Sequence, residues 1–448
     1  MIDLITTIFF NGTVYAVKKY RFLKFVYIGL VFAFPVAYSI SIRSGDMILS
    51  ILLITVLVIG IWESIKQIPQ RYKNQSWESI CEELGLKTKE RATYFLYEKV
   101  ISAYANEIAL KTVIPLNIWH NKKSALEMRL NKKIIDIKQD KANNQIIKLI
   151  IQGEALSSKI DWKENFVDTK NNVLNIGIGY LGLAYMDLEK YPHAFIAGET
   201  GSGKSNILKC FIHQSLAKNY DVVLIDFKRG VSFSSFSDLL DIYYDYSSAT
   251  KILDDMVNET NKRLDLFRTY KVDNLKAYNS ASSNPLKRKI IFIDELAELL
   301  KTRDKAISNR LYDSIETLTR ISRAVGIHLI MGIQRPDSTI INGQIKNNVS
   351  FRVCGRFVDR EPSRIMLGSD EASSLVNIKG RFIIKDDELY EVQSFYYSDS
   401  DSNNLKLKSK EEISNIREPQ VLADVEVVAQ KSESISKELN FDFSDIKK

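Results

Sequence analysis

The stretch Ala194-Phe195-Ile196-Ala197-Gly198-Glu199-Thr200-Gly201-Ser202-Gly203-Lys204-Ser205-Asn206-Ile207-Leu208 decides the fold. Its middle is a complete G-x-x-x-x-G-K-[ST] pattern. Apolar residues lead in as a strand, and Asn206 to Ile212 lead out at helical spacing, the strand-loop-helix context this pattern requires. The glycines let the backbone turn tightly, so that successive N–H groups face one anion and the dipole of the following helix adds to them. Gly198, Glu199, Thr200, Gly201, Ser202, Gly203, Lys204, Ser205 and Asn206 are therefore the candidate cradle for the phosphates of ATP. Lys204 is placed to bridge the β- and γ-phosphates, and Ser205 to hold Mg2+ through its hydroxyl.

Such a loop needs an acidic strand end beside it, and Lys289-Ile290-Ile291-Phe292-Ile293-Asp294-Glu295 supplies one. The apolar run reads as a buried parallel strand that presents two carboxylates to the nucleotide. Asp294 is the metal-side residue and Glu295 the general base that polarises the attacking water. That pair argues for hydrolysis rather than binding alone. Val222 to Ile225 is a further apolar strand ending in Asp226, and His328 to Ile333 another ending in Gln334, which is placed to sense the γ-phosphate. Strands of this kind alternating with helices predict an α/β class and a RecA-like P-loop ATPase domain, with a doubly wound, mostly parallel sheet.

Working outward, residues 25–42 and 47–62 carry no charge and are separated by Arg43-Ser44-Gly45-Asp46. They predict a transmembrane helical hairpin after a cytoplasmic N-terminus of residues 1–24. The runs begin late, are doubled and have no small-residue cleavage site, which argues against a cleaved signal. Lys18, Lys19, Arg21 and Lys24 before the hairpin and Lys66, Arg71 and Lys73 after it put both termini and the ATPase domain in the cytoplasm of a multi-pass cell-membrane protein. Residues from about 75 to 190 carry helical periodicity from Trp77 to Leu110, a charged helix near Lys122 to Lys133, and hairpins about Asn143-Asn144 and Gly179-Tyr180, and a small α+β adaptor is expected over 66–174. The motor domain is expected over 175–397, and 398–448 reads as largely disordered. In the 448-residue chain, 45% hydrophobic and 26% charged residues are ordinary for globular material, and the net charge of +7 suits an anionic partner. Cys81, Cys210 and Cys354, like His120, His193, His213 and His328, are scattered, which fits a reducing compartment and argues against a zinc enzyme.

Taken together, Pro192 to Gly198 entering the loop, Ile225-Asp226-Phe227-Lys228-Arg229, Phe292 to Glu298, Arg323 to His328, and Gln334-Arg335-Pro336 resemble the FtsK/SpoIIIE translocases. That resemblance implies a homo-oligomeric ring, usually hexameric, with nucleotide between subunits and DNA in a central pore. It puts Arg323 at the position of an arginine finger, and Arg335, Lys346, Arg360 and Arg364 at those of pore-facing, DNA-binding residues. Two spans, an adaptor and one motor look similar to the TcpA-type conjugative coupling proteins of Gram-positive mobile elements, which implies a relaxase and conjugation channel proteins as partners. The residues after Tyr397 are too few for the winged-helix module of chromosome-segregating members. A chromosome or plasmid segregation pump stays open, as does a type VII-like protein-secretion ATPase, although such enzymes string several ATPase modules together.

Overall fold

The structure, a computed structural model, describes residues 76–87, 93–337, 340–341, 343–402 and 405. The expected transmembrane hairpin and nearly all of the tail lie outside these residues. Among the described residues no helix is long and apolar enough to cross a membrane.

The chain divides into two units. The first comprises the described residues up to Lys99 together with Glu107–Ile151. Its elements are β1 (Tyr94–Ser102), β2 (Ala105–Lys111), α1 (Leu116–Asn121), α2 (Lys123–Leu130), β3 (Ile134–Gln139) and β4 (Ile146–Gln152), with the sheet order β1-β2-β4-β3. Ile108, Leu110, Ile147, Leu149 and Ile151 meet Trp77, Ile80, Trp119 and Leu126 in one apolar cluster. The charged helix is α2, and the Asn143-Asn144 hairpin joins β3 to β4 with Ile137 opposite Leu149. The helical reading from Trp77 to Leu110 holds only at its start. Tyr94, Phe95, Tyr97, Val100 and Ile101 are aromatic and β-branched, types that pack well on a pleated surface, and they form β1.

The second unit, Val100–Asn106 and residues from Gln152 onward, contains β5 (Ile160–Asp161), β6 (Val173–Gly179), β7 (Gly182–Asp187), β8 (His193–Ala197), α3 (Lys204–Ala217), β9 (Asp221–Ile225) and β10 (Ile242–Tyr243). There follow α4 (Tyr246–Tyr270), α5 (Leu275–Ala281), β11 (Lys289–Ile293), α6 (Leu296–Leu300), α7 (Lys305–Ile321), β12 (Ile327–Ile333), α8 (Gly343–Asn348), β13 (Phe351–Gly355), α9 (Arg360–Leu367), β14 (Arg381–Lys385) and β15 (Leu389–Tyr396). The sheet runs β10-β9-β11-β12-β8-β13-β14-β15-β6-β7, with β5 against β15. From β10 to β13 neighbours are parallel, and from β13 to β7 they are antiparallel. The compact units divide after Ile151 rather than at the expected residue 174, because β5 pairs with β15 and Trp162, Phe166 and Val167 pack into the core of the large sheet.

Alternation along the central strands fills both faces. Phe195, Ala197, Ile291, Ile293, Leu329 and Met331 pack with Leu253, Leu311 and Ile315 of α4 and α7. Ala194, Ile196, Ile290, Phe292 and Ile330 pack with Leu208, Phe211 and Ile212 of α3. Strands buried on both faces are continuous apolar runs, which is why these three are legible in the sequence. After β8 the chain passes beyond β12 and β11 to build β9, returns through β11 and β12, and only then lays β13 on the other flank of β8. The order thus reverses at β8, and the crevice at the strands' carboxyl ends is the place for a ligand.

Candidate nucleotide-hydrolysis site

The loop after β8 takes backbone conformations that favour glycine. Gly198, Gly201 and Gly203 have φ of 153°, 86° and 110°. A Cβ on Gly203 would lie 3.3 Å from Gly380, whose N–H donates to the Ser202 carbonyl at 2.8 Å. A Cβ on Gly198 would lie 2.6 Å from Ser202 Oγ and 3.3 Å from Gly355. The loop is therefore clamped by backbone from two sides, at the end of β13 and at the start of β14. Among the described residues the buried Ser202 Oγ has no hydrogen-bond partner, which fits a cradle built to hold a phosphate-bearing group.

Facing the loop are three buried acids. Asp226, Asp294 and Glu295 end β9 and β11, and the strand register puts Ile225 beside Ile293. Lys204, itself buried, donates to the Asp294 carbonyl, lies 3.2 Å from Glu295 Oε2 and 3.6 Å from Asp294 Oδ1. Ser205 Oγ is 3.4 Å from Asp294 Oδ1, so a hydroxyl and a carboxylate converge as the two hard oxygen donors that suit Mg2+ beside nucleotide phosphates. Both oxygens of Glu295 accept the Gln334 N–H at 3.1 Å, which fixes the carboxylate at the mouth of the crevice. Thr200 Oγ1 donates to Gln334 Oε1 at 3.3 Å, so the end of β12 touches the phosphate loop. Asp226 accepts from the N–H groups of Lys228 and Gly230, yet burial, reinforced by the Asp294 charge, raises its pKa.

This geometry is matched by relationship. The model of the FtsK/SpoIIIE family matches residues 181–338. The chain is 32% identical to the conjugation coupling protein TcpA of pCW3, solved as a monomer with ATPγS, covering 75% of this chain and 99% of that one with a TM-score of 0.57. The chain belongs to the FtsK/SpoIIIE family. It is also 34% identical over 258 residues to the DNA translocase FtsK of Helicobacter pylori (strain J99), and 29% identical over 300 residues to that of Staphylococcus aureus (strain Mu50). These matches take in 55% and 59% of this chain but only 29% and 36% of those longer relatives.

The residues that FtsK/SpoIIIE membership singles out do not all gather at the crevice. Arg323 precedes β12 and donates to the Glu189 carbonyl at 2.9 Å. At about 3.3 Å per residue, the seven residues of β12 put it roughly 20 Å from Gln334, away from the phosphate loop and its facing acids. Arg335 is exposed directly after Gln334, and Arg360 is exposed at the start of α9. Arg364 is exposed but paired in a bidentate bridge with Asp370 at 2.5 and 2.9 Å. Lys346 stands apart: its carbonyl accepts from Arg352, and burial with the Arg352 and Lys385 charges lowers its pKa. Asn206 corrects an expectation. Its side chain donates to the Phe395 carbonyl and accepts the Tyr397 N–H at 3.0 Å, so it ties α3 to the end of β15 rather than reaching into the cradle.

Two participants carried no role in the sequence reading. Lys228 Nζ lies 3.4 Å from Asp294 Oδ2. Gly332, within β12, leaves room for the Asp294 carbonyl and Lys204, which a Cβ would meet at 2.1 and 3.0 Å. The Asp226-Phe227-Lys228 run at a strand end was the available signal for the first, and a glycine inside an apolar strand for the second.

Proposed function

We propose that this chain hydrolyses ATP and uses the cycle to move DNA, as the coupling ATPase of a conjugative transfer apparatus. The observation that carries the reading is Lys204 bridging the Asp294 and Glu295 ends of β11 beneath a glycine-clamped phosphate loop. When bound, Mg2+ held by Ser205 and Asp294 would neutralise charge on the β- and γ-phosphates. Lys204 has the same task from the loop side: on nucleotide entry its ammonium turns from Glu295 to phosphate oxygen. Glu295 then loses its cation but keeps the Gln334 N–H, and its carboxylate is left oriented to take a proton from the attacking water. The Gln334 side chain, beside Thr200, reads whether the γ-phosphate is present.

Arg323, remote from its own nucleotide, serves the neighbouring site in a homo-oligomeric, hexameric ring. Arg335, Lys346, Arg360 and Arg364 are assigned to DNA phosphates in the pore, a contact without sequence preference. Residues 25–42 and 47–62 anchor the ring in the cell membrane with the ATPase in the cytoplasm, next to a relaxase and the channel proteins. Similarity to TcpA over 99% of that protein supports this setting above chromosome segregation.

The test is ATP hydrolysis by the full chain with and without single- and double-stranded DNA, at about 50 and about 200 mM salt. A phosphate-gripping motor is stimulated by DNA, less so at the higher salt, and the preferred strand form separates conjugation from segregation. Hydrolysis indifferent to DNA in assembled protein contradicts the reading.

A further inference from the structure

The metal-side carboxylate is already occupied by cations of the chain itself. Asp294 is 1% exposed, and its Oδ1 faces Lys204 at 3.6 Å and the Ser205 hydroxyl at 3.4 Å. Its other oxygen, Oδ2, faces Lys228 Nζ at 3.4 Å. Lys228 reaches this point from the turn after β9, where its own N–H donates to Asp226 Oδ1 at 2.9 Å and the Gly230 N–H to Asp226 Oδ2 at 3.0 Å. The turn is a tight one, with Arg229 and Gly230 both at positive φ, 57° and 72°. Lys204 has a destination when nucleotide enters, since it belongs to the phosphate loop. Lys228 does not: it lies outside that loop, half-exposed, with its ammonium held among Asp294, Glu295 and Glu298.

We propose that Lys228 is a placeholder cation that competes with the divalent metal for Asp294 and so sets the metal concentration at which the site loads. An ammonium on Oδ2 opposes a second positive charge on Oδ1 of the same carboxylate, because two cations drawn to one buried carboxylate repel each other. The phosphates of the nucleotide offset that repulsion, so metal and nucleotide load together rather than metal alone. By linkage, removing the ammonium must raise metal affinity by the same factor that the metal weakens the ammonium's hold. The inference rests on the ATP-site reading above.

The experiment titrates Mg2+ into the full chain with a fluorescent ATPγS analogue and follows binding, with no turnover needed. Lys228→Met should lower the half-saturating Mg2+ by about fivefold or more, while Lys228→Arg, which keeps the charge, should stay near wild type. Lys228→Gln gives a second neutral variant in case the first does not fold. A half-saturation in the neutral variants equal to or higher than wild type overturns the placeholder role and leaves the ATP-site reading standing. Absence of nucleotide binding by wild type at any Mg2+ concentration overturns both.

Discussion

At the scale of single residues, the assignment of Glu295 as base separates from that of Lys204 as phosphate ligand by what each variant retains. Glu295→Gln keeps the Gln334 N–H contact and the shape of the site but cannot accept a proton. It is expected to bind nucleotide normally and hydrolyse it about 10²- to 10⁴-fold more slowly, whereas Lys204→Ala loses binding as well. Parallel binding and turnover measurements check this, and normal turnover by Glu295→Gln would show that the base lies elsewhere. A second residue-level prediction concerns the opposite end of the sheet. His328 Nδ1 donates to the Pro192 carbonyl at 3.0 Å, and its Nε2 accepts from Arg288 at 3.1 Å, so the buried ring is held neutral. Burial, with Arg288 beside it, puts its pKa well below the ordinary 6.5. Burial with Arg323 brings His193 down to about 3. The unfolded chain therefore binds more protons as the solution is acidified. The stability from these rings is whole above pH 6.5 and declines below it, by about 1.4 kcal/mol per pH unit for each ring until the folded pKa is reached. Urea midpoints at pH 7.5, 6 and 5 measure the decline; a flat profile would mean the rings are charged in the fold.

At the scale of elements, what was legible followed from periodicity and punctuation. The phosphate loop, the acid-ended β11 and the polar-ended β12 announce themselves because buried parallel strands are unbroken apolar runs with their chemistry at one end. The same signal fails for β1, whose side chains are mostly half-buried and whose spacing mimics a helix. It also fails for Asn206, since nothing local in the sequence shows that β15 passes beside α3. Gly332 marks the limit most sharply, because its importance lies in a neighbour 38 residues earlier in the chain, the Asp294 carbonyl. Gly332→Ala would press a methyl group onto that carbonyl and onto Lys204, and is expected to cost about 1–3 kcal/mol of stability and to weaken nucleotide binding. Urea denaturation and nucleotide titration of the variant test this. Wild-type values in both would show that β12 can shift without disturbing the site.

At the scale of the whole molecule, strand order converts these local features into a machine part. Placing β8 between β12 and β13 sets the phosphate loop beside Gln334 on one flank and Gly355 on the other, and leaves Arg323 at the opposite end of the strands. The hydrolytic residues thus gather at one end of the sheet, and Arg323 lies roughly one strand length away from them. Sequence motifs conveyed the members of this arrangement through the resemblance they carry; the distance between them required the topology. Whether hydrolysis is coupled to motion is addressed directly by one measurement. The full chain, given ATP and Mg2+, is placed on duplex DNA bearing a short third strand, and release of that strand is followed over time. The account predicts release by wild type and none by Glu295→Gln; steady ATP hydrolysis by DNA-bound wild type with the third strand left in place would contradict it.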